Sequence, residues 1–595
     1  MNDYRAPLHD IRFNLEELAG LAEIRKSARF QDATPDVVNS VLEEAGRLAA
    51  EVLAPLNRIG DRTGNRVVDR AVVPPEGFKS AYQAFVDGGW PALPFAPERG
   101  GQGLPETVSC AVNEIWQSAN MAFALCPMLT EGTVVALEQH ASEVIKDRFL
   151  AKLISGEWTG TMNLTEPQAG SDLAAVKTRA EPRGDHYLLF GQKIFITWGD
   201  HDFTDNILHM VLARLPDAPP GVKGISLFLV PKFLLNPDGT RGTRNDVFPV
   251  SVEHKLGIHG SPTCVMSYGD NGGATGFLVG EPHNGLALMF TMMNHARIAV
   301  GIQGLSISER AYQKARSYAR ERVQGQIAGD MGRVTIIHHA DVRRMLMLMK
   351  SGIEAMRALC YVTTASLDLG HHAANAAIRT HHLDRFSLLT PVVKGWCSEL
   401  AQELTYLGVQ VHGGMGFIEE TGAAQHYRDA RILTIYEGTT GIQANDLIGR
   451  KLLRDDGKAM AELVIDMRTD ALAAGKSTDT DLQTMATRLS TAVTALEQAV
   501  DWLLTHGKQD AGAPGSAAVN MVMLVGTVCG GWLLTRAALT ARSRLDAGVP
   551  DQDYLSAKIK TARFFAEHFL PRAQAQSQAI CAGPGAIMAL TETQF

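Results

Sequence analysis

Glu437 is a lone carboxylate between an apolar segment and a Gly-Thr-Thr-Gly turn, in Arg428-Asp429-Ala430-Arg431-Ile432-Leu433-Thr434-Ile435-Tyr436-Glu437-Gly438-Thr439-Thr440-Gly441. Packing on one side and a flexible, hydroxyl-bearing turn on the other suit a general base. A single Glu before such a turn is more often a solvated loop residue or a cap, so its company decides. In Met162-Asn163-Leu164-Thr165-Glu166-Pro167-Gln168-Ala169-Gly170-Ser171-Asp172, the Gly-Ser pair can offer N–H groups and a hydroxyl to a phosphate. Thr165 there can hydrogen-bond a ring heteroatom, although the segment alone reads as an ordinary turn. Phe195-Ile196-Thr197-Trp198-Gly199 puts an aromatic and a hydroxyl at the end of a strand. Gln410-Val411-His412-Gly413-Gly414-Met415-Gly416-Phe417 is a Gly-rich turn after a helix. With no strand before it and no helix at the right distance after it, it is not a dinucleotide fingerprint, and His412 reads as structural.

The elements that must position these residues change character along the chain. Residues 1–155 read as an N-terminal helical domain: Asp36 to Leu53 and Thr133 to Ile154 carry apolar residues at three- and four-residue spacing. Two Gly- and Pro-rich loops, 88–94 and 98–105, interrupt it. In 156–282 the runs His186 to Thr197, Ile207 to Leu215, Gly224 to Phe233 and Val247 to Val252 are β-branched and aromatic, with turn residues between them. Without intervening helices they predict an antiparallel β-barrel or sandwich as the middle domain.

Residues 283–464 predict a helix bundle. Ile298, Ile302, Leu305, Tyr312, Ala315 and Ala319 form one stripe, and Met345, Met349, Ile353, Met356 and Cys360 a second that reads as core. Thr390-Pro391 predicts the start of a third helix, which runs past Trp396, Leu400, Leu404 and Leu407 to a stop at Gly413-Gly414. Residues 465–595, punctuated at 473–481 and 507–517, read as a C-terminal helical domain with no chemistry of its own.

The 595 residues predict three or four domains, and a net charge of −8 gives no basic face for nucleic acid. The seven cysteines have neither zinc nor redox spacing and read as small core residues in a reducing compartment, with no metal site implied. The first fourteen residues lack a signal-peptide core, and Met521 to Leu534 falls short of the ~20 residues a membrane span needs, so it reads as a buried helix. The expectation is a cytoplasmic protein.

Taken together, the motifs resemble the FAD-dependent acyl-CoA dehydrogenases. Leu164 to Asp172 looks like that family's first signature and Arg428 to Thr439 its second. Glu321-Arg322-Val323-Gln324-Gly325 and Gln410 to Gly416 match two more stretches in the same order. The resemblance covers roughly residues 80 to 450. It implies a mainly α fold of helical domain, β-barrel and four-helix bundle, with FAD between barrel and bundle at a subunit interface.

By that resemblance Glu437 is the catalytic base. Met162, Leu164, Thr165, Phe195, Ile196 and Thr197 border the isoalloxazine, while Gly170 and Ser171 lie nearer the pyrophosphate and the CoA. Arg322 and Gln324, with Gln410, Gly413 and Gly414 of a second subunit, hold the ADP half. Thr439 is a further FAD contact; Arg297, Tyr436 and Gly438 join Ser171 on the substrate side. Three positions depart from the family: Phe195 stands where many relatives carry Trp, Gly325 replaces an aromatic, and Gly441 replaces a polar side chain.

An α-hydrogen of a thioester is a poor acid in water, so its removal needs a placed base and a stabilised enolate oxygen. The implied reaction is α,β-dehydrogenation to a trans-2-enoyl-CoA, with an electron-transfer flavoprotein as acceptor and a homo-oligomer, dimer or tetramer, as the working form.

The extra C-terminal domain resembles the larger branch of the family. The opening Tyr4-Arg5-Ala6-Pro7 to Asp10-Ile11-Arg12-Phe13 resembles bacterial members, among them enzymes of dimethylsulfoniopropionate breakdown. Those oxidise a 3-methylmercaptopropionyl thioester; ordinary short- to medium-chain and long-chain acyl-CoAs are the alternatives. An acyl-CoA oxidase shares the same site. A flavin-containing, nucleic-acid-associated relative needs a basic C-terminal domain, which the balanced charge here does not supply.

Overall fold

The computed structural model describes residues 4–327 and 332–595. Packing divides them into two units that do not follow chain order. Residues 4–6, Glu43–Leu104 and Ile115–Ala299 form the first; Pro7–Leu42, Pro105–Glu114 and Val300–Phe595 form the second.

The first unit is built on eight strands: β1 Thr159–Asn163, β2 Arg179–Arg183, β3 His186–Thr197, β4 Ile207–Arg214, β5 Ile225–Pro231, β6 Val247–Val252, β7 Thr263–Tyr268 and β8 Ala274–Val279. Their order is β6-β7-β3-β8-β5-β4-β1, with β2 pairing β3 and β4. Pairing is antiparallel except where β4 runs parallel to β1 and touches β2. The long β3 is shared. Tyr187 to Leu189 pair with β8, and Gly191 to Thr197 pair with β7. Gly191 allows the change of partner, because a Cβ there would sit 2.6 Å from Thr178 Oγ1.

Inward residues Leu189, Ile196, Val211, Phe228, Val230, Cys264, Met266 and Tyr268 form the core of this barrel. Beside it, Phe78, Tyr82, Phe85, Trp116, Phe123, Trp198 and Phe203 make a ring cluster of edge-on and stacked contacts. Trp198 Nε1 donates to the Ala122 carbonyl at 3.1 Å, tying the end of β3 to the helix Glu106–His140.

The second unit is helical. It holds most of α1 Gly285–Glu321, then α2 Ala340–His372, α3 Ala376–His412, α4 Ala423–Ala430, α5 Thr440–Asp446, α6 Lys458–Gly475, α7 Thr480–His506, α8 Ala513–Asp546, α9 Gln552–His568 and α10 Arg572–Cys581. The Met345, Met349, Met356 stripe is core, as its spacing implies. Glycines on α8 allow close approach: an added Cβ at Gly526 would lie 2.1 Å from Trp396, and one at Gly531 2.4 Å from Leu570.

A buried charge cluster joins the start of the chain to α2 and α9. The Arg357 guanidinium donates to Glu114 at 2.5 Å, to Asp10 at 2.6 Å and to Glu309 at 3.0 Å. Lys558 bridges Asp10 at 2.7 Å and Glu354 at 2.8 Å, and Tyr361 donates to Glu114 at 2.6 Å. Burial raises the Glu114 carboxyl above its ordinary range, with Arg357 and Tyr361 pulling the other way. Burial works against ionisation at Asp10 too, but Lys558, Arg357 and Lys350 outweigh it and hold that carboxyl far below the usual range.

Four sequence expectations are corrected. Thr390-Pro391 does not open a helix: α3 runs through it from Ala376, Thr390 Oγ1 donates back to the Phe386 carbonyl at 2.7 Å, and Pro391 sits inside. The segment Thr133 to Ile154 is two helices broken at Ala141–Ser142, where Ser142 caps the second, Glu143–Ile154. Glu106–His140, α1 and α8 are long and apolar enough to cross a bilayer by length and composition. Of their apolar windows, 94%, 61% and 83% are buried in the folded protein. Six cysteines are buried; Cys581 is exposed.

Candidate active site

In the second unit, Glu437 lies in the turn between the 3₁₀ helix Arg431–Thr434 and α5. It is half-buried at φ +58°, and Gly438 follows at φ +87°. A left-handed Glu is strained, and such strain persists only where surroundings over-determine it. Gln443 Nε2 donates to the Glu437 and Gly438 carbonyls at 3.1 and 3.2 Å, and Lys394 Nζ donates to the Gly438 carbonyl at 2.7 Å. Both side chains are fully buried. Gly438 is at φ +87°, where a side chain is strained, and an added Cβ would meet Gln443 Nε2 at 2.8 Å and disturb that amide. Thr439 Oγ1 caps α5 by accepting from Ile442 N at 3.3 Å, and its own proton stays available to a ligand. The Tyr436 hydroxyl donates to Gln303 Oε1. Burial first, then Glu437 and Asp429, push that phenol well above its ordinary range, so it stays neutral.

In the first unit, two segments are locked side by side. Lys193 Nζ donates to the Leu164 carbonyl at 2.9 Å and to Glu166 at 2.8 Å, and Ile194 N donates to the Thr165 carbonyl at 2.9 Å. Thr178 N and Oγ1 also bind Glu166. Burial depresses the Lys193 ammonium to about 8, against the pull of Glu166. This lacing brings Met162, Leu164, Thr165, Phe195 and Thr197 together. Phe195 is 58% exposed at φ +59°, an aromatic ring held out by strained backbone. Ile196 departs from expectation: its side chain is 2% exposed and belongs to the barrel core, leaving only its backbone for a cofactor. Gly170 and Ser171 are exposed, and an added Cβ on Gly170 would meet nothing within 4 Å. Arg297, on α1, is buried, with Nη1 donating to Asn294 at 3.3 Å.

Arg322 and Gln324 are exposed on a short bridge in which Val323 pairs with Thr335 and the Gln324 carbonyl accepts from His339 at 2.7 Å. Gln410, Gly413 and Gly414 are exposed at the end of α3, both glycines with open space around them. Met415, Ile418 and an 85% exposed Phe417 continue that surface. His412 is structural, bonded to the Gly408 carbonyl at 2.7 Å and stacked on Tyr318 at 4.5 Å.

Each unit holds residues that fit part of FAD: in the first, an outward ring for stacking, half-buried hydroxyls at Thr165 and Thr197 and bare backbone at Gly170; in the second, the exposed Arg322 and the open Gly413 and Gly414. Sequence reasoning missed Lys394, Gln443, Gln303 and Lys193. For Lys394 a signal existed, since a lone lysine inside the apolar Pro391-Val392-Val393-Lys394-Gly395-Trp396 has to be buried with a partner.

Models of the acyl-CoA dehydrogenase N-terminal, middle and C-terminal domains match residues 38–157, 161–271 and 283–453, and an acetyl-CoA dehydrogenase C-terminal-like model matches 460–591. The chain is 48% identical to the 3-methylmercaptopropionyl-CoA dehydrogenase of Ruegeria pomeroyi, over 97% of this chain and 98% of that protein. It is 36% identical to the broad-specificity linear acyl-CoA dehydrogenase FadE5 of Mycobacterium tuberculosis over all of both chains. An acyl-CoA dehydrogenase from Bacillus anthracis, solved in complex with FAD, shares the fold at a TM-score of 0.74 and 20% identity, covering 97% of this chain and 92% of that one. The chain belongs to the FAD-dependent acyl-CoA dehydrogenase family.

Proposed function

We propose that Glu437 removes the α-proton of an acyl-CoA thioester and that the product is the trans-2-enoyl-CoA. FAD, the cofactor of this family, supplies the acceptor for the β-hydride. The observation that carries the reading is the turn itself: a half-buried Glu kept at a strained φ of +58° by buried side chains that bind the backbone carbonyls of the turn. Ile435 and Tyr436 precede Glu437 in the turn, and a bound acyl chain that excludes water from a carboxylate makes it a stronger base. Met162, Leu164, Thr165, Phe195 and Thr197 border the ring system, while Gly170, Ser171, Arg322, Gln324 and Thr439 take the rest of the cofactor. The open glycines Gly413 and Gly414, with Gln410 and the apolar Phe417 surface, support a homo-oligomer in which that surface meets a second subunit.

The favoured substrate is 3-methylmercaptopropionyl-CoA, with short- to medium-chain acyl-CoAs alongside, and the role that goes with it is dimethylsulfoniopropionate breakdown in the cytoplasm. Near-full-length similarity to an enzyme of that name supports this choice. Electron-transfer flavoprotein is the proposed acceptor. The test is anaerobic loss of flavin absorbance with a panel of acyl-CoAs, run on the wild type and on Glu437→Gln. The wild type should bleach fastest with the sulfur substrate, and the variant should keep its flavin yet lose bleaching by more than a thousandfold. Wild-type bleaching in the variant removes Glu437 as the base. Preference for a long-chain thioester removes the substrate choice, and peroxide formation matching substrate loss makes the protein an oxidase.

A further inference from the structure

Lys394 stands out among the buried groups that the proposed reaction does not use. It is fully buried in the middle of α3, where an ammonium is costly to hold, and it donates at 2.7 Å to the carbonyl of Gly438, the residue after Glu437. Gln443, equally buried, binds the same carbonyl and that of Glu437 from α5. Two consecutive left-handed residues, Glu437 and Gly438, thus have both carbonyls pinned by side chains from two different helices. Unpinned, the peptide between them relaxes towards negative φ at Glu437 and swings the carboxylate away.

The wall behind this arrangement is α8 of the C-terminal helical region. A Cβ at Gly395, next to Lys394, would sit 2.7 Å from Val522 and 3.6 Å from Gln443 Cβ. Gly526 on the same helix lies against Trp396, itself 1% exposed. Helix α8 thus packs on the two residues that follow Lys394, and Lys394 and Gln443 are themselves out of water, where a charge-assisted hydrogen bond to a carbonyl is at its strongest.

We infer that Lys394, buried where α8 packs on α3, is the positioning residue for the catalytic turn: it fixes the Gly438 carbonyl and through it the aim of the Glu437 carboxylate, which gives the C-terminal helices a part in catalysis. The inference rests on the reading of Glu437 as the base, and the experiment separates the two. Holoenzymes of wild type, Lys394→Met, Lys394→Gln and Glu437→Gln are compared in two assays. One is anaerobic stopped-flow bleaching over a range of butyryl-CoA concentrations. The other is exchange of the C2 hydrogens of acetyl-CoA in D2O, a thioester with no β-hydrogen, so that only proton removal is read.

Lys394→Met, nearly the same length but without charge or donor, should lose at least tenfold in both limiting bleaching rate and exchange rate. Its apparent Kd for butyryl-CoA should change less than threefold and its flavin content should stay at that of the wild type. Lys394→Gln, which retains an N–H, should fall between the two. A purely structural lysine would instead lower flavin content and leave the limiting rate per bound flavin unchanged, and that result overturns the inference. So does loss of flavin from both Lys394 variants. Wild-type rates in Lys394→Met beside an inactive Glu437→Gln overturn the inference alone; wild-type exchange in Glu437→Gln overturns the reading of the base.

Discussion

Replacing Arg357 by Met should destabilise the second unit by an amount the charge cluster fixes. Asp10 keeps Lys558 at 2.7 Å and Tyr554 at 2.8 Å, and Glu309 keeps Gln313 at 2.9 Å. Glu114, wholly buried, is left with the Tyr361 hydroxyl at 2.6 Å, so the cost concentrates there. Stranding a buried charge costs about 3–5 kcal/mol. Glu114 has an escape, because it can take up a proton. Neutralising a carboxyl of ordinary pKa near 4.3 costs about 1.4 kcal/mol per pH unit above that value, roughly 3.7 kcal/mol at pH 7 and 1.6 kcal/mol at pH 5.5. The expected penalty is therefore capped near 3–4 kcal/mol at neutral pH.

The sign follows from linkage. A carboxyl raised in the folded state holds a proton there that the unfolded chain releases, so stability of the variant falls as pH rises above about 4.3 and recovers as pH drops. Unfolding rates at fixed temperature and urea read the effect without requiring reversibility. The variant should unfold up to about two and a half decades faster than wild type at pH 7, and the gap should narrow, by at most about 2 kcal/mol, at pH 5.5. Adding Glu114→Gln removes the stranded charge and should restore at least half of the loss. A gap below about 1 kcal/mol, a gap that ignores pH, or no rescue in the double variant would refute the reasoning.

Two further outcomes concern the first unit. Phe195→Gly relieves a left-handed aromatic, so the apoprotein should gain about 1–2 kcal/mol while losing the stacking face, and FAD titration should show weaker binding by roughly three- to tenfold; unchanged FAD affinity rules out Phe195 as a ring contact. At Glu166, burial alone would raise the carboxyl, but Lys193, Thr178 and the Lys177 N–H outweigh it and hold it at about 2. Its stabilising contribution is full above an unfolded value near 4.3 and is lost as pH falls towards 2, so the stability difference between wild type and Glu166→Gln, measured by flavin release, should shrink over that window. A difference that stays constant from pH 4.5 to 2.5 contradicts the hydrogen-bond account.

Strand β3 was legible with both its ends, and so was β6, because His186 to Thr197 and Val247 to Val252 follow turn residues (Gly, Asp, Asn) and are rich in β-branched and aromatic residues. Strand β1 was not: Thr159-Gly160-Thr161-Met162-Asn163 alternates nothing, since it is buried almost throughout and its Gly160 is required by Thr133, 2.3 Å from any added Cβ. Thr390-Pro391 misled because capping chemistry is local, whereas that hydroxyl spends itself on the preceding turn of an uninterrupted helix. The residues of the four motifs were readable for a similar reason, as each set is contiguous in the chain. Lys394 and Gln303 lie 43 and 134 residues from Glu437, and only folding brings them to its turn.

Packing changes what the last 130 residues are for. As a sequence they look appended, helical and free of chemistry, with a boundary near 465. Packing within the second unit says otherwise: α8 enters at Gly395 and Trp396, two positions flanked by Lys394, through Val522 and Gly526. Glycines inside a helix weaken it by about 1 kcal/mol each, so those at Gly526, Gly530 and Gly531 have to be offset by what they let in. What they let in is the flank of Trp396, the end of Phe565 and the side chain of Leu570. A chain cut before α8 would bare Trp396 and admit water to the Lys394 ammonium, raising the local dielectric where the Gly438 carbonyl is held. Hydration of that lysine loosens a bond that α3 makes to the turn, so the C-terminal helices bear on the carboxylate from a distance that no motif scan along the chain could register.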